Sequence, residues 1–150
     1  MRRNSSSLRW DLFLGAGLRQ PGCEKRNSEL IEVAESVGLT IFAPGRETRG
    51  AADLSPTEIF CQNRRAIEEA CVFVLVPDDA GIGVYYELGL ADALGKIIVG
   101  FSLSGVSGLG KVIEGRWELL PANRRAAGIN DFRTVLLSLR STCTKIRNER

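Results

Sequence analysis

The run Cys71-Val-Phe-Val-Leu-Val76 constrains this chain more than any other stretch. It is continuously apolar and rich in β-branched residues, with no polar alternation. Such a strand needs both faces covered, and helices are the usual cover. The flanking segments supply them. Glu24 to Val37 is predicted helical, with Leu30, Ile31, Ala34 and Val37 on one stripe and Gly38 as its stop. Ser55-Pro56 opens a second helix reaching about Ala70, in which Glu58 completes a Ser-x-x-Glu capping box. Leu8 to Leu14, Leu39 to Ala43 and Lys96 to Phe101 read as further strands. A small-residue helix with Glu87 at its start runs to Leu94 and stops at Gly95. Val112 to Leu120 has no clear period and is the candidate for a last strand. Asn130 or Asp131 is expected to cap a final helix striped by Phe132, Val135, Leu136, Leu139, Cys143 and Ile146. Strand and helix alternate throughout, which predicts an α/β fold: a doubly wound parallel sheet in three layers, α/β/α.

The chain of 150 residues is expected to form one domain over residues 8–147, with polar tails at 1–7 and 148–150. A formal net charge of +2, with basic residues dispersed, offers no argument for a nucleic acid polymer as partner. No segment is apolar over the length a membrane span needs. The four cysteines lie far apart in sequence, so zinc-ligand spacing is absent, and no metal is expected. Cys61 and Cys71 read as buried thiols, which fits a reduced, cytoplasmic setting. The chain has no histidine. That excludes Ser-His and Cys-His nucleophile pairs and any histidine general base. Carboxylates, tyrosines, arginines and backbone groups must carry whatever chemistry there is.

In open parallel sheets, ligands bind beyond the carboxyl ends of the strands. Three loops leave those ends: Gly15 to Gly22, Pro44 to Leu54, and Pro77 to Tyr86. The first is glycine-rich, with Gly15, Gly17, Arg19 and Gln20. Its backbone N–H groups suit a sugar or phosphate and Arg19 suits an anion, although a plain tight turn has the same composition. Glu87 is expected in a first helical turn, where unpaired N–H groups favour a carboxylate. There it is either a nucleophile for an electrophilic sugar carbon or a stabilising helix-start acid. Tyr85 and Tyr86 adjoin it, and either can pair with the carboxylate, stack on a base or simply pack. Asp78 and Asp79 follow the central strand as catalytic or turn residues. Glu68 and Glu69 read as solvated.

The ordered set Ile59-Phe-Cys-Gln-Asn63, Ala66-Ile-Glu-Glu-Ala70, Gly83-Val-Tyr-Tyr-Glu-Leu-Gly89 and Ala93-Leu-Gly-Lys96 resembles the nucleoside 2-deoxyribosyltransferase family. Phe13-Leu-Gly-Ala-Gly-Leu-Arg-Gln20 and Gly50-Ala-Ala-Asp-Leu-Ser-Pro56 resemble its nucleoside-monophosphate N-glycosidase branch. The resemblance covers residues 8 to 101. It implies a flavodoxin-like (Rossmann-like) fold, a nucleoside or nucleoside 5′-monophosphate substrate, no cofactor, and a homodimer or higher homo-oligomer. It makes Glu87 the nucleophile at the anomeric carbon, with Tyr86 beside it. Gly15, Gly17, Arg19, Gln20, Asp79, Gly81 and Gly83 fall on substrate-binding loops. Two departures stand out. The family's helper aspartate aligns with Asn63, which cannot donate a carboxylic proton, and general acid catalysis is typically worth about 10²–10⁴-fold. Gly81 stands where the family has aspartate or serine. The expectations are therefore an N-glycosidic-bond enzyme, or a nucleotide-binding module of the same fold with weakened chemistry.

Overall fold

The computed structural model describes residues 10–48 and 53–149. Five strands form one sheet: β1 (Leu12–Ala16), β2 (Ile41–Phe42), β3 (Val72–Val76), β4 (Ile97–Phe101) and β5 (Arg125–Ala126). Their spatial order is β2-β1-β3-β4-β5, and every neighbouring pair is parallel. This is the flavodoxin-like order, with its switch point between β1 and β3. The helices are α1 (Cys23–Ser36), α2 (Pro44–Glu47), α3 (Pro56–Glu69), α4 (Ile82–Ala93), α5 (Lys111–Glu118) and α6 (Ile129–Asn148). None is long and apolar enough to cross a membrane.

Strand alternation divides the buried residues between two faces. Leu12, Leu14, Val72, Val74, Val76, Val99 and Phe101 pack with α1 and α6. Phe13, Phe73, Leu75 and Ile98 pack with α3, α4 and α5. The uninterrupted apolar run of β3 therefore feeds both layers, as its composition demands. Phe13 stacks between Phe42 and Phe73 at 5.5 Å from each. Each such fully buried ring contributes about 1.5–3 kcal/mol by leaving water.

Caps fix the ends of two helices that matter for the site. At α3, Ser55 Oγ accepts from Glu58 N, and Glu58 Oε2 accepts from Ser55 N at 2.8 Å, the expected capping box. Gly38 ends α1 at φ +82°, a conformation that favours glycine.

Several expectations are corrected. Most of Val112 to Leu120 is helical, not a strand: α5 runs to Glu118, and Ile113, Trp117 and, just past its end, Leu120 pack toward β4, where Gly100 makes room for the indole. The last strand is the short β5. Gly128, not Asn130 or Asp131, caps α6, while Asp131 reaches back to accept from Ala127 N at 3.3 Å. Part of the loop after Pro44 is the short helix α2; residues 49–52 lie outside the described residues, as do 1–9 and 150. α6 runs on through Asn148, into the stretch read as a tail. Cys61 is exposed, because α3 turns Ala66, Ile67 and Ala70 to the sheet and position 61 lies off that stripe. Glu69 is buried, held by Arg65 one turn earlier at 2.8 Å.

Candidate functional site

The β1–α1 and β3–α4 loops meet at the switch point and wall a cleft of about 500 Å³. Its lining includes Gly17, Arg19, Gln20, Asn63, Asp79, Gly81, Gly83 and Glu87. Eight of the residues singled out from the sequence thus converge from three separate segments of the chain.

Glu87 lies in the second turn of α4, not the first. The helix begins at Ile82 behind an extended Gly81 cap, so no acid occupies its first turn. The helix-start explanation of this carboxylate is thereby lost. Gly83 stands one turn earlier on the same helix face, and both line the cleft. Burial disfavours the charged form and pushes the Glu87 carboxyl up to about 7, against a hydrogen bond that works the other way. That bond comes from Asn63 on α3, whose Nδ2 donates to Glu87 Oε1 at 3.0 Å. Asn63 Oδ1, by contrast, is buried without a partner.

Asp79 is held firmly. Arg26 Nη1 donates to its Oδ1 at 2.9 Å, and both side chains are 13% exposed. Gly17 lies directly beneath it: a Cβ at position 17 would meet the Asp79 carbonyl oxygen at 2.3 Å. Asn27 Nδ2 donates to Gly17 O at 3.0 Å, and Asn27 Oδ1 accepts from Arg26. Arg26 and Asn27 thus stitch the two loops together across the switch point. The sequence reading missed them. Their signal is an Arg-Asn pair in the first turns of α1, directly after the glycine-rich loop.

The other singled-out residues fall elsewhere. Gly15 is within β1 and outside the cleft lining; a Cβ there would lie 2.2 Å from Phe73 Cζ, so its smallness serves the phenylalanine stack. Tyr86 is also outside the lining, 55% exposed, with its ring 5.8 Å from that of Phe60. The Tyr85 hydroxyl is pushed above its usual range by burial. Asp78 accepts from Ser102 Oγ and from Leu103 N at 2.9 Å, which ties the end of β3 to the end of β4.

A second depression, about 590 Å³, lies between α1 and the β2–α2 corner. Its carboxylates, Glu24 and Glu32, are exposed on α1 and none is enclosed as Glu87 is, so the chemistry points to the first cleft. The only group of three potential metal ligands found among the described residues is Asp11, Cys71 and Cys143, at the amino ends of the strands, opposite the cleft. Thr40 N and Oγ1 donate to Asp11 Oδ2, and Arg147 donates to Oδ1, so that carboxylate is already satisfied. The cleft itself offers a carboxylate poised between charge states, a neutral amide bonded to it, and one exposed arginine at its mouth. That set suits attack on an electrophilic carbon of a small polar ligand.

No protein-family profile and no curated protein matches this chain. Solved structures do. A CMP N-glycosidase, BcmB, from Clostridium botulinum is 21% identical with a TM-score of 0.61, covering 84% of this chain and 96% of that one. A 2-deoxyribosyltransferase from the psychrotolerant bacterium Bacillus psychrosaccharolyticus is 20% identical with a TM-score of 0.64, covering 82% and 90%. A 2-desoxiribosyltransferase from Leishmania mexicana is 16% identical with a TM-score of 0.52; 63% of this chain matches 65% of that one. At these identities the likeness establishes a shared fold, the one the sequence resemblance implies.

Proposed function

We propose that this protein is an enzyme of the nucleoside 2-deoxyribosyltransferase type, which cleaves or transfers the N-glycosidic bond of a nucleoside or nucleoside 5′-monophosphate. The observation that carries the reading is Glu87: a carboxylate at the switch-point cleft, near its charge midpoint at neutral pH, and bonded by Asn63. In the proposed step an ionised Glu87 oxygen attacks the anomeric carbon. A carbon–oxygen bond forms, the carbon–nitrogen bond breaks, and the base leaves with the electron pair and takes a proton from solvent. Water then attacks the same carbon, loses a proton to solvent and releases the Glu87 carboxylate, giving hydrolysis; a nitrogen of a second base, losing its proton likewise, gives transfer. No cofactor is needed for these bond changes. Arg19 at the mouth is assigned to an anionic group of the substrate, and Gly81 and Gly83 leave space for the sugar. Tyr86, with the exposed Ile82, is assigned to a contact with a second copy of the chain.

A binding module without turnover is the second reading. It is favoured by one arrangement: Asn63 has no acidic proton to transfer, and Asp79, the other carboxylate in the cleft, is engaged by Arg26. Incubation with a panel of nucleosides and their 5′-monophosphates, with and without a second free base, separates the two. Released or exchanged base that disappears in Glu87→Ala supports the enzyme. Binding without turnover supports the module, and turnover unaffected by Glu87→Ala removes Glu87 from the mechanism.

A further inference from the structure

The one buried side-chain polar atom without a hydrogen-bond partner among the described residues is Asn63 Oδ1. It belongs to the residue that bonds the candidate nucleophile. A buried orphan acceptor is costly, and native structures rarely keep one without reason. The two ends of an asparagine amide are nearly isosteric, and its final torsion has two broad, nearly equivalent settings. Nothing bonds Oδ1 from behind, so no neighbour locks the amide in one orientation. We propose that Asn63 is a reversible positioning residue, donating through Nδ2 to ionised Glu87 and, turned over, accepting through Oδ1 from the neutral acid.

The same side chain then holds the glutamate in line through both charge states. This matters because burial leaves Glu87 close to neutrality, so both states are populated at ordinary pH. An aspartate at position 63 would act differently: two adjacent carboxylates disfavour their joint ionisation, so one is forced to stay protonated. The charged groups that also line the cleft are Arg19, from the β1–α1 loop, and Asp79, from the β3–α4 loop, which Arg26 of α1 neutralises. α3 brings only Asn63 to the lining, and α4 brings no second charge. Asn63 is therefore the one uncharged side chain bonded to Glu87, placed to pair with it in either charge state. The catalytic consequence rests on the function proposed above; the geometry and its test do not.

The test is the pair of variants Asn63→Leu and Asn63→Ser, with thermal melts at about pH 5 and about pH 9 and the Glu87 carboxyl followed by carbon NMR. A reversible amide predicts that Asn63→Leu lowers Tm by a similar amount at both pH values, and that the Glu87 midpoint stays nearly where it was. A fixed amide that only donates predicts loss at high pH alone and a midpoint about 1–2 pH units higher, because only the carboxylate loses a partner. That result overturns the proposal. Asn63→Ser, whose hydroxyl both donates and accepts, is expected to restore part of the loss at both pH values. In the wild type, the Asn63 side-chain carbonyl carbon is expected to shift with the Glu87 midpoint as Oδ1 gains a donor. A carbonyl signal that does not move there also overturns the proposal, whether or not the variants fold. None of these readouts needs a substrate, so their failure leaves the glycosidic reading standing, and an inactive enzyme leaves them interpretable.

Discussion

Replacing Glu87 by glutamine should make the protein more stable, and only above a definite pH. The folded state holds the Glu87 carboxyl at about 7 instead of the usual 4.5. Each tenfold displacement of a proton equilibrium is about 1.4 kcal/mol, which gives roughly 3 kcal/mol for this one. Partial solvent contact reduces that to about 2–3 kcal/mol. The sign follows from the raised value. Folding favours the neutral acid, so the contribution is fully present below about pH 4.5, fades as pH rises to about 7, and is absent above. Glutamine carries no charge at any pH and keeps a donor and an acceptor for Asn63. Urea denaturation of both proteins from about pH 4 to pH 9 should therefore give matching stabilities at the acid end. The gap should open through about pH 7 to about 2–3 kcal/mol in favour of Glu87→Gln, or roughly 4–12 °C in Tm for a chain of this size. Parallel curves, or a wild type that gains on the variant as pH rises, would refute the claim that burial dominates the Glu87 environment.

Three further outcomes are expected. If Glu87 is the nucleophile, kcat/KM should rise about tenfold per pH unit below about pH 7 and level off above it; a flat profile between about pH 5 and pH 8 contradicts the role. Gly15→Ala should cost about 1–3 kcal/mol in urea melts through overpacking against Phe73, and Phe73→Leu in the same chain should recover part of it; an undiminished melt for the single variant refutes the packing role. Arg26→Ala should cost about 3 kcal/mol by leaving Asp79 uncompensated, and should raise KM for an active substrate more than it lowers kcat; equal stability would mean that the stitched loops do not depend on this pair.

Much of the fold was legible because it rests on local patterns. The β3 run required cover on both faces, and the Ser55 to Glu58 capping box and the Gly38 stop are short-range signals with short-range causes. The α5 helix was not legible, since Ile113, Trp117 and Leu120 give only one apolar contact per turn, a density that a short strand can mimic. Position fixed the neighbourhood of the cleft, but not the hydrogen bonds inside it. Glu87 looked like a first-turn acid because nothing in Gly81-Ile-Gly83 shows that the helix starts at Ile82. Gly15 and Gly17 look alike in sequence. One makes room for a ring from β3 and the other for a backbone carbonyl from the next loop, and that difference exists only once the strands are paired. Arg26 and Asn27 could be seen as polar, but not as partners of Asp79 and Gly17, which lie on different segments.

The Arg26–Asp79 pair and the Asn27–Gly17 bond also say where this cleft can change. With two of its walls fastened to each other, a ligand meets a site whose shape is set beforehand, and association need not bear the entropy of ordering those loops. Side chains that take part in the fastening are poor places to alter selectivity, because a change there releases both walls at once. Arg19 and Gln20 are exposed at the rim and hold neither wall in place. Variation confined to those positions can retune what the cleft accepts while the frame beneath stays as it is.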